Sequence, residues 1–200
     1  MATEFNKKKE KTNNKNEKKE KLTTNEYKII FIGESAIGAK TTLIDKISKI
    51  NDGNSTSNFT NTFISKHVNI GNNKEIILQL WDTAGNEKYR SLTKLFLKDS
   101  TCIILGYDIT RRRTFDEIKD YWCHLLYELG YSYNLKYLIG NKIDLEERRQ
   151  VSEEEAILLA ESENLRFFET SCVTNRGINE FYNDLINNLI ELYKNNTKEL

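Results

Sequence analysis

YKIIFIGESAIGAKTTLIDKISKI, residues 27–50, joins an apolar run to a helix-like segment through a loop of small residues. The run YKIIFIG (27–33), rich in Ile and Phe, reads as a strand, and residues 41–50, with Leu43 and Ile44 near their start, read as a helix. The stretch between them, GESAIGAKTT (33–42), approaches the phosphate-cradle pattern G-x-x-x-x-G-K-[ST]. Such a cradle needs small residues, so that successive backbone N–H groups converge on oxygens, and a helix whose N-terminus faces the anion. Gly33, Ala36, Gly38 and Ala39 meet the size requirement. Lys40 supplies an ammonium for the outer phosphates, Thr41 a hydroxyl for Mg²⁺, and Thr42 follows at the helix start. The spacing is one residue too long, because Ala39 separates Lys40 from Gly38. Anchoring on Lys40 and Thr41 makes the extra residue a bulge between Ser35 and Ala39.

Outward from this unit, apolar runs alternate with amphipathic segments. Residues 67–81 read as two strands joined by the turn Gly71-Asn72-Asn73, and 101–108, 135–142 and 166–171 as three more strands. Helical stretches fall at 41–50, about 88–98, 114–128, 153–163 and 178–193. In the last, Ile178, Phe181, Leu185, Ile186, Leu189, Ile190 and Tyr193 recur at helical spacing, which predicts packing on the sheet. Alternation of strands and helices predicts an α/β fold, a mostly parallel sheet covered on both faces, with ligands at the C-terminal ends of the strands.

Three further motifs fall at such ends. WDTAGNEKYRS places Asp82, a carboxylate suited to holding Mg²⁺ through water, at the end of a strand. Gly85 leaves its N–H open to a terminal phosphate. NKID (141–144) follows the fifth strand and ETSC (169–172) the sixth. Asp144 is the informative residue: an ionised carboxylate only accepts hydrogen bonds, so it pairs with the N1–H and exocyclic amine of guanine, a donor pair adenine lacks.

The order of these motifs, with YDITRRRTF (107–115) and RRQVSEEEA (148–156), resembles a small GTPase of the Rab family over about residues 26–193. The resemblance implies a P-loop NTPase small G-domain with a six-stranded sheet, one antiparallel edge strand and five helices. It also implies GTP/GDP and Mg²⁺ as ligands. By the same resemblance Lys40 holds the β- and γ-phosphates, Thr41 and Asp82 serve Mg²⁺, and Asn141 and Lys142 brace the base pocket. Asp144 reads guanine, and Ser171 with the backbone of Cys172 supports the base from the far side. Segments near 52–65 and 83–98 order around the γ-phosphate and relax once it leaves. An exchange factor, a GTPase-activating protein and effectors are the implied partners, engaging residues near 52–65 and 81–98. Trp81 and Phe96 align with aromatics that such proteins present to effectors, and core packing is the competing reading for both.

The pattern departs from the family at several places. Asn86 stands where the family's WDTAGQE has glutamine, one methylene longer, so Asn86 and Lys40 are the expected catalytic residues of a slow hydrolase. The alternative is a GTP-holding scaffold with little hydrolysis. The first switch offers both Thr60 and Thr62 for the threonine that senses Mg²⁺ and γ-phosphate, and Thr60 is preferred. Val173 replaces the lysine of the usual S-A-K. The sequence given ends NNTKEL without the cysteine that Rab-like proteins prenylate, which leaves two readings, a sequence that stops short of the natural C-terminus or a protein that stays soluble. The expected location is cytoplasmic, with peripheral association on endomembranes as the alternative, and the expected state is a monomer.

Bulk composition agrees with one domain. The chain has 200 residues and zero formal charge, but residues 1–25 hold eight Lys and four Glu. That leader, with almost no apolar residues, reads as a disordered tail before a domain at 26–194 and a short tail at 195–200. A nucleic-acid surface is not suggested. Cys102, Cys123 and Cys172 lack C-x-x-C spacing and read as reduced core thiols, and His67 and His124 as structural histidines rather than metal ligands.

Overall fold

In the computed structural model, residues 25–33, 39–50, 55–59, 63–83, 90–131 and 135–198 are described. The opening strand β1 spans Glu26–Ile32, and helix α1 spans Ala39–Lys49. Next come β2 (Ser55–Phe59), β3 (Ile64–Gly71), β4 (Lys74–Asp82), α2 (Arg90–Leu97) and β5 (Cys102–Asp108). Helix α3 consists of Arg112–Glu117, a π turn at Ile118–Trp122 and Cys123–Glu128. The chain then forms β6 (Leu135–Asn141), a 3₁₀ stretch at Ile143–Arg148, α4 (Glu153–Ser162), β7 (Arg166–Thr170) and α5 (Ile178–Lys198).

The strands form one sheet in the order β2-β3-β4-β1-β5-β6-β7. The six strands read from the sequence are all present, and β3 is the strand that runs against the rest. One more strand joins them. β2, which carries no apolar alternation, pairs antiparallel with β3 from Ser55↔Val68 to Phe59↔Ile64 and takes the edge of the sheet beside it. The turn between β3 and β4 has Asn72 and Asn73 at φ 53° and 56°, the double positive φ of a hairpin turn whose twist matches its strands.

Alternation along β1 splits the core. Ile29 and Phe31 face a cluster with Leu43, Ile47 of α1 and Phe181, Leu185, Leu189 of α5, while Ile30 and Ile32 face Phe115, Ile118 and Trp122 of α3 and Leu159 of α4. β5 is buried along its whole length, as a central parallel strand covered on both faces must be. All three cysteines are buried and free. His67 lies beside Glu75 and His124 beside Glu128. α5 continues past residue 194 to Lys198, beyond the expected end of the domain.

Because β1, β4, β5, β6 and β7 run the same way, their C-terminal ends collect on one edge of the sheet. Gly33, Asp82, Asp108, Asn141 and Ser171 arrive there together.

Candidate nucleotide site

Lys40 is the second residue of α1, yet it is 7% exposed. Its Nζ donates to the carbonyl of Gly33 after β1 at 2.6 Å and to that of Thr83 after β4 at 2.8 Å. Those bonds use two of the ammonium's three donors and stitch the two neighbouring strand ends together. Burial lowers the Lys40 pKa, with Asp82 and then Glu117 opposing that shift. Thr83 itself is buried and its hydroxyl donates to the Phe31 carbonyl at 2.6 Å, fixing the carbonyl that Lys40 binds.

One residue on, the exposed Thr41 hydroxyl donates directly to Oδ2 of Asp82. A hydroxyl and a carboxylate side by side at a helix N-terminus make a hard oxygen donor pair, the kind that Mg²⁺ takes in ones and twos while keeping its waters. Thr42 is exposed on the same turn. Ala39 is the first residue of α1, and the bulge expected between Ser35 and Ala39 falls outside the described residues. Ala36, Gly38, Thr60, Thr62, Gly85 and Asn86 lie outside the described residues.

At the other end of the edge, Asn141 closes β6 almost fully buried; its side-chain oxygen accepts from Thr170 Oγ1 at 3.2 Å, tying β6 to β7. Lys142 then turns the chain in the left-handed region, φ 74° and ψ 36°, where L residues other than Asn and Asp rarely go. Its ammonium lies 2.6 Å from Oδ2 of Asp108, a carboxylate with no exposed surface at the end of β5. The other oxygen of Asp108 accepts from the Thr110 N–H at 2.9 Å and its hydroxyl at 2.7 Å.

That reversal carries the exposed Asp144 to Ser171. Ser171 Oγ donates to Asp144 Oδ1 at 2.5 Å and accepts from the N–H groups of Val173 and Thr174 at 3.2 and 3.0 Å. Oδ2 of Asp144 is thereby left without a protein donor among the described residues. Burial pushes the Cys172 thiol up to about 11, with Lys46 opposing and Asp144 adding, so Cys172 stays a neutral wall.

The sequence singled out Lys40, Thr41, Asp82, Asn141, Lys142, Asp144 and Ser171, and the structure gathers them on one edge of the sheet. It missed Thr83, Asp108 and Thr170. Asp108 carried a faint signal, a lone acid closing an otherwise apolar strand, CIILGYD. Beyond the edge, Trp81 is half-buried, stacked on Phe63 at 4.9 Å and tilted against Phe96 at 5.9 Å. Phe96 is 38% exposed and its neighbour Leu95 71%, so these aromatics are partly core and partly surface.

The sequence model of the Ras family matches residues 28–191. Ras-related protein Rab-2B of Dictyostelium discoideum is 37% identical over 170 residues that cover 85% of this chain and 83% of that protein. The chain is a Rab-type small GTPase of the Ras family. Ras-related protein Rab-21 of Bos taurus is 38% identical over 170 residues, 84% of this chain and 75% of the relative. Ras-related protein RABA6a of Arabidopsis thaliana is 38% identical over 169 residues, 83% and 70% respectively. Family membership makes GTP hydrolysis the activity of this GTPase and guanine nucleotide its ligand.

Proposed function

We propose that this GTPase is a Mg²⁺-dependent molecular switch of intracellular vesicle traffic, slow to hydrolyse GTP alone and read by effectors in its GTP form. The observation that carries the reading is a single edge of the sheet with an acceptor-only carboxylate, Asp144, at one end and a buried ammonium beside an oxygen pair, Lys40 with Thr41 and Asp82, at the other. An acceptor-only carboxylate suits a base that offers two adjacent donors. Lys40 would meet the β- and γ-phosphates with its remaining donor, and Thr41 and Asp82 would serve Mg²⁺, directly and through water. Mg²⁺ would neutralise charge between the outer phosphates. Asn86 would orient the attacking water from one methylene further back than the family's glutamine, which supports slow turnover. The exposed side of the Trp81 and Phe96 cluster supports effector contact there.

Identification of the nucleotide that copurifies with the full chain, followed by single-turnover GTP cleavage, tests this reading. Bound GDP with slow cleavage, quickened by Asn86→Gln, is expected. A protein that copurifies with GTP and never cleaves it, even with activating proteins from its own cell, is a scaffold instead; one with no preference for GDP over ADP has no guanine site.

A further inference from the structure

Beside the Asp144–Ser171 pair along the chain, two carboxylates share one guanidinium. Arg149 donates from Nε to Glu146 Oε1 at 2.7 Å and from Nη2 to Glu146 Oε2 at 2.7 Å. It donates from Nη1 to Glu169 Oε1 at 2.6 Å and from Nη2 to Glu169 Oε2 at 2.9 Å. A last bond runs from Nη1 to the Val151 carbonyl at 3.0 Å. Every N–H of the guanidinium fork is engaged, and both carboxylates are gripped by two oxygens.

The placement of those carboxylates matters more than their number. Glu146 stands two residues after Asp144, and Glu169 two residues before Ser171. The chain therefore closes a ring: Asp144 to Glu146, across Arg149 to Glu169, along to Ser171, and back through the Ser171 hydroxyl to Asp144. Arg149 is anchored in turn, because the N–H groups of Gln150 and Val151 bond the Ile109 carbonyl beyond β5 at 2.8 and 3.2 Å. The fork is mostly buried, with Arg149 16% and Glu169 14% exposed. On the far side, Gly177 packs so tightly on Glu169 that a Cβ there would lie 2.0 Å from the Glu169 carbonyl oxygen. Glu169 is thus fixed from both sides.

We propose that Arg149 is a positioning residue for base selection: through Glu146 and Glu169 it sets the separation and orientation of Asp144 and Ser171, so that guanine is distinguished from bases lacking its paired donors. This rests on the guanine reading of Asp144. Ion-pair geometry of this kind needs the planar fork, since an ammonium is a point charge that cannot grip two carboxylates edge-on.

The test measures affinity of the full chain for GDP, IDP and ADP. IDP lacks the exocyclic amine, one of the two donors meant for Asp144, and ADP reports the phosphate end alone. The wild type is expected to rank GDP above IDP above ADP. Arg149→Gln should cut the GDP-to-IDP ratio by about tenfold, the scale of one lost hydrogen bond to a charged group, while ADP binding stays as it was. Glu146→Gln, at the 63% exposed side of the clamp, should cut the ratio by a smaller factor of about threefold, and it carries the test if Arg149→Gln does not fold. A folded variant that keeps the wild-type ratio, or loses GDP, IDP and ADP affinity equally, overturns the inference and leaves the guanine site standing. A wild type that binds GDP and ADP alike overturns the guanine reading itself, and this inference with it.

Discussion

At Lys142 the backbone adopts φ 74°, a conformation that costs an ordinary L residue roughly 1–2 kcal/mol, and the neighbouring contacts explain why it persists. Its ammonium meets a fully buried Asp108, and truncating a partner of such a pair strands the other charge. Lys142→Ala should therefore lose about 3 kcal/mol of stability, read as a lower urea midpoint at unchanged slope. The strained turn exists to bring Asp144 back against Ser171, and Asp144 itself is exposed, as a group kept for a ligand should be. Asp144→Asn replaces an acceptor-only carboxylate by an amide that must turn a donor somewhere. Weaker GDP binding by roughly 1.5–3 kcal/mol, about 10- to 100-fold in Kd, is expected by titration with little change in melting temperature. Wild-type affinity in that variant would place the base elsewhere.

Helix α4 begins where its sequence says it should. Ser152, in extended conformation, accepts from the Glu155 N–H at 3.2 Å, and Glu153, Glu154 and Glu155 fill the first turn, where carboxylates favour the positive end of the helix. Glu155 also reaches back to Arg112 of α3, accepting from both terminal guanidinium nitrogens at 2.6 Å. Ser152→Ala should cost about 1 kcal/mol and lower the melting temperature by roughly 2–4 °C, with GDP affinity unchanged. Signals of this local sort are what made the fold legible: Ile29 to Ile32 alternate between two faces, α5 repeats its apolar stripe every three or four residues, and NKID is four consecutive letters. β2 was missed because STSNF has no apolar period and gains its strand conformation only by pairing with β3. The π turn in α3 was missed because Ile118 and Trp122, both buried, sit as comfortably on an α pattern. Likewise Asp108 with Lys142, and Arg149 with Glu169, are partners that only the sheet brings together; nothing at either position announces the other.

The molecule keeps its chemistry and one of its main ion-pair networks at opposite ends of the same strands. β6 and β7 end at Asn141 and Thr170 on the nucleotide edge, but near their starts Tyr137 and Arg166 both bond Asp184 of α5, at 2.8 and 2.6 Å, and Asn188 adds a third donor at 3.1 Å. Tyr137 and Asn141 are four residues apart, about 13 Å along a strand, so the two ends are separately adjustable. Burial alone would raise the Asp184 carboxyl, yet the hydrogen bonds from Arg166 and Tyr137 and the Arg166 charge outweigh it and hold the group below its ordinary 3.8. A carboxyl held below its unfolded value contributes stability that is present above pH 3.8 and is lost as pH falls through the lower, folded value. Removing the charge removes that contribution. At pH 7 Asp184→Asn should be less stable than the wild type by about 1–3 kcal/mol, the range for a hydrogen bond to a charged group and a donor left short, and the gap should narrow steadily below pH 4 as the wild-type carboxyl takes up its proton. Denaturant melts at pH 7 and pH 3 check this, with GDP affinity at pH 7 as the control. A gap of the same size at both pH values would mean that Asp184 acts by shape rather than by charge, and a fall in GDP affinity would mean that the two ends are coupled through the strands.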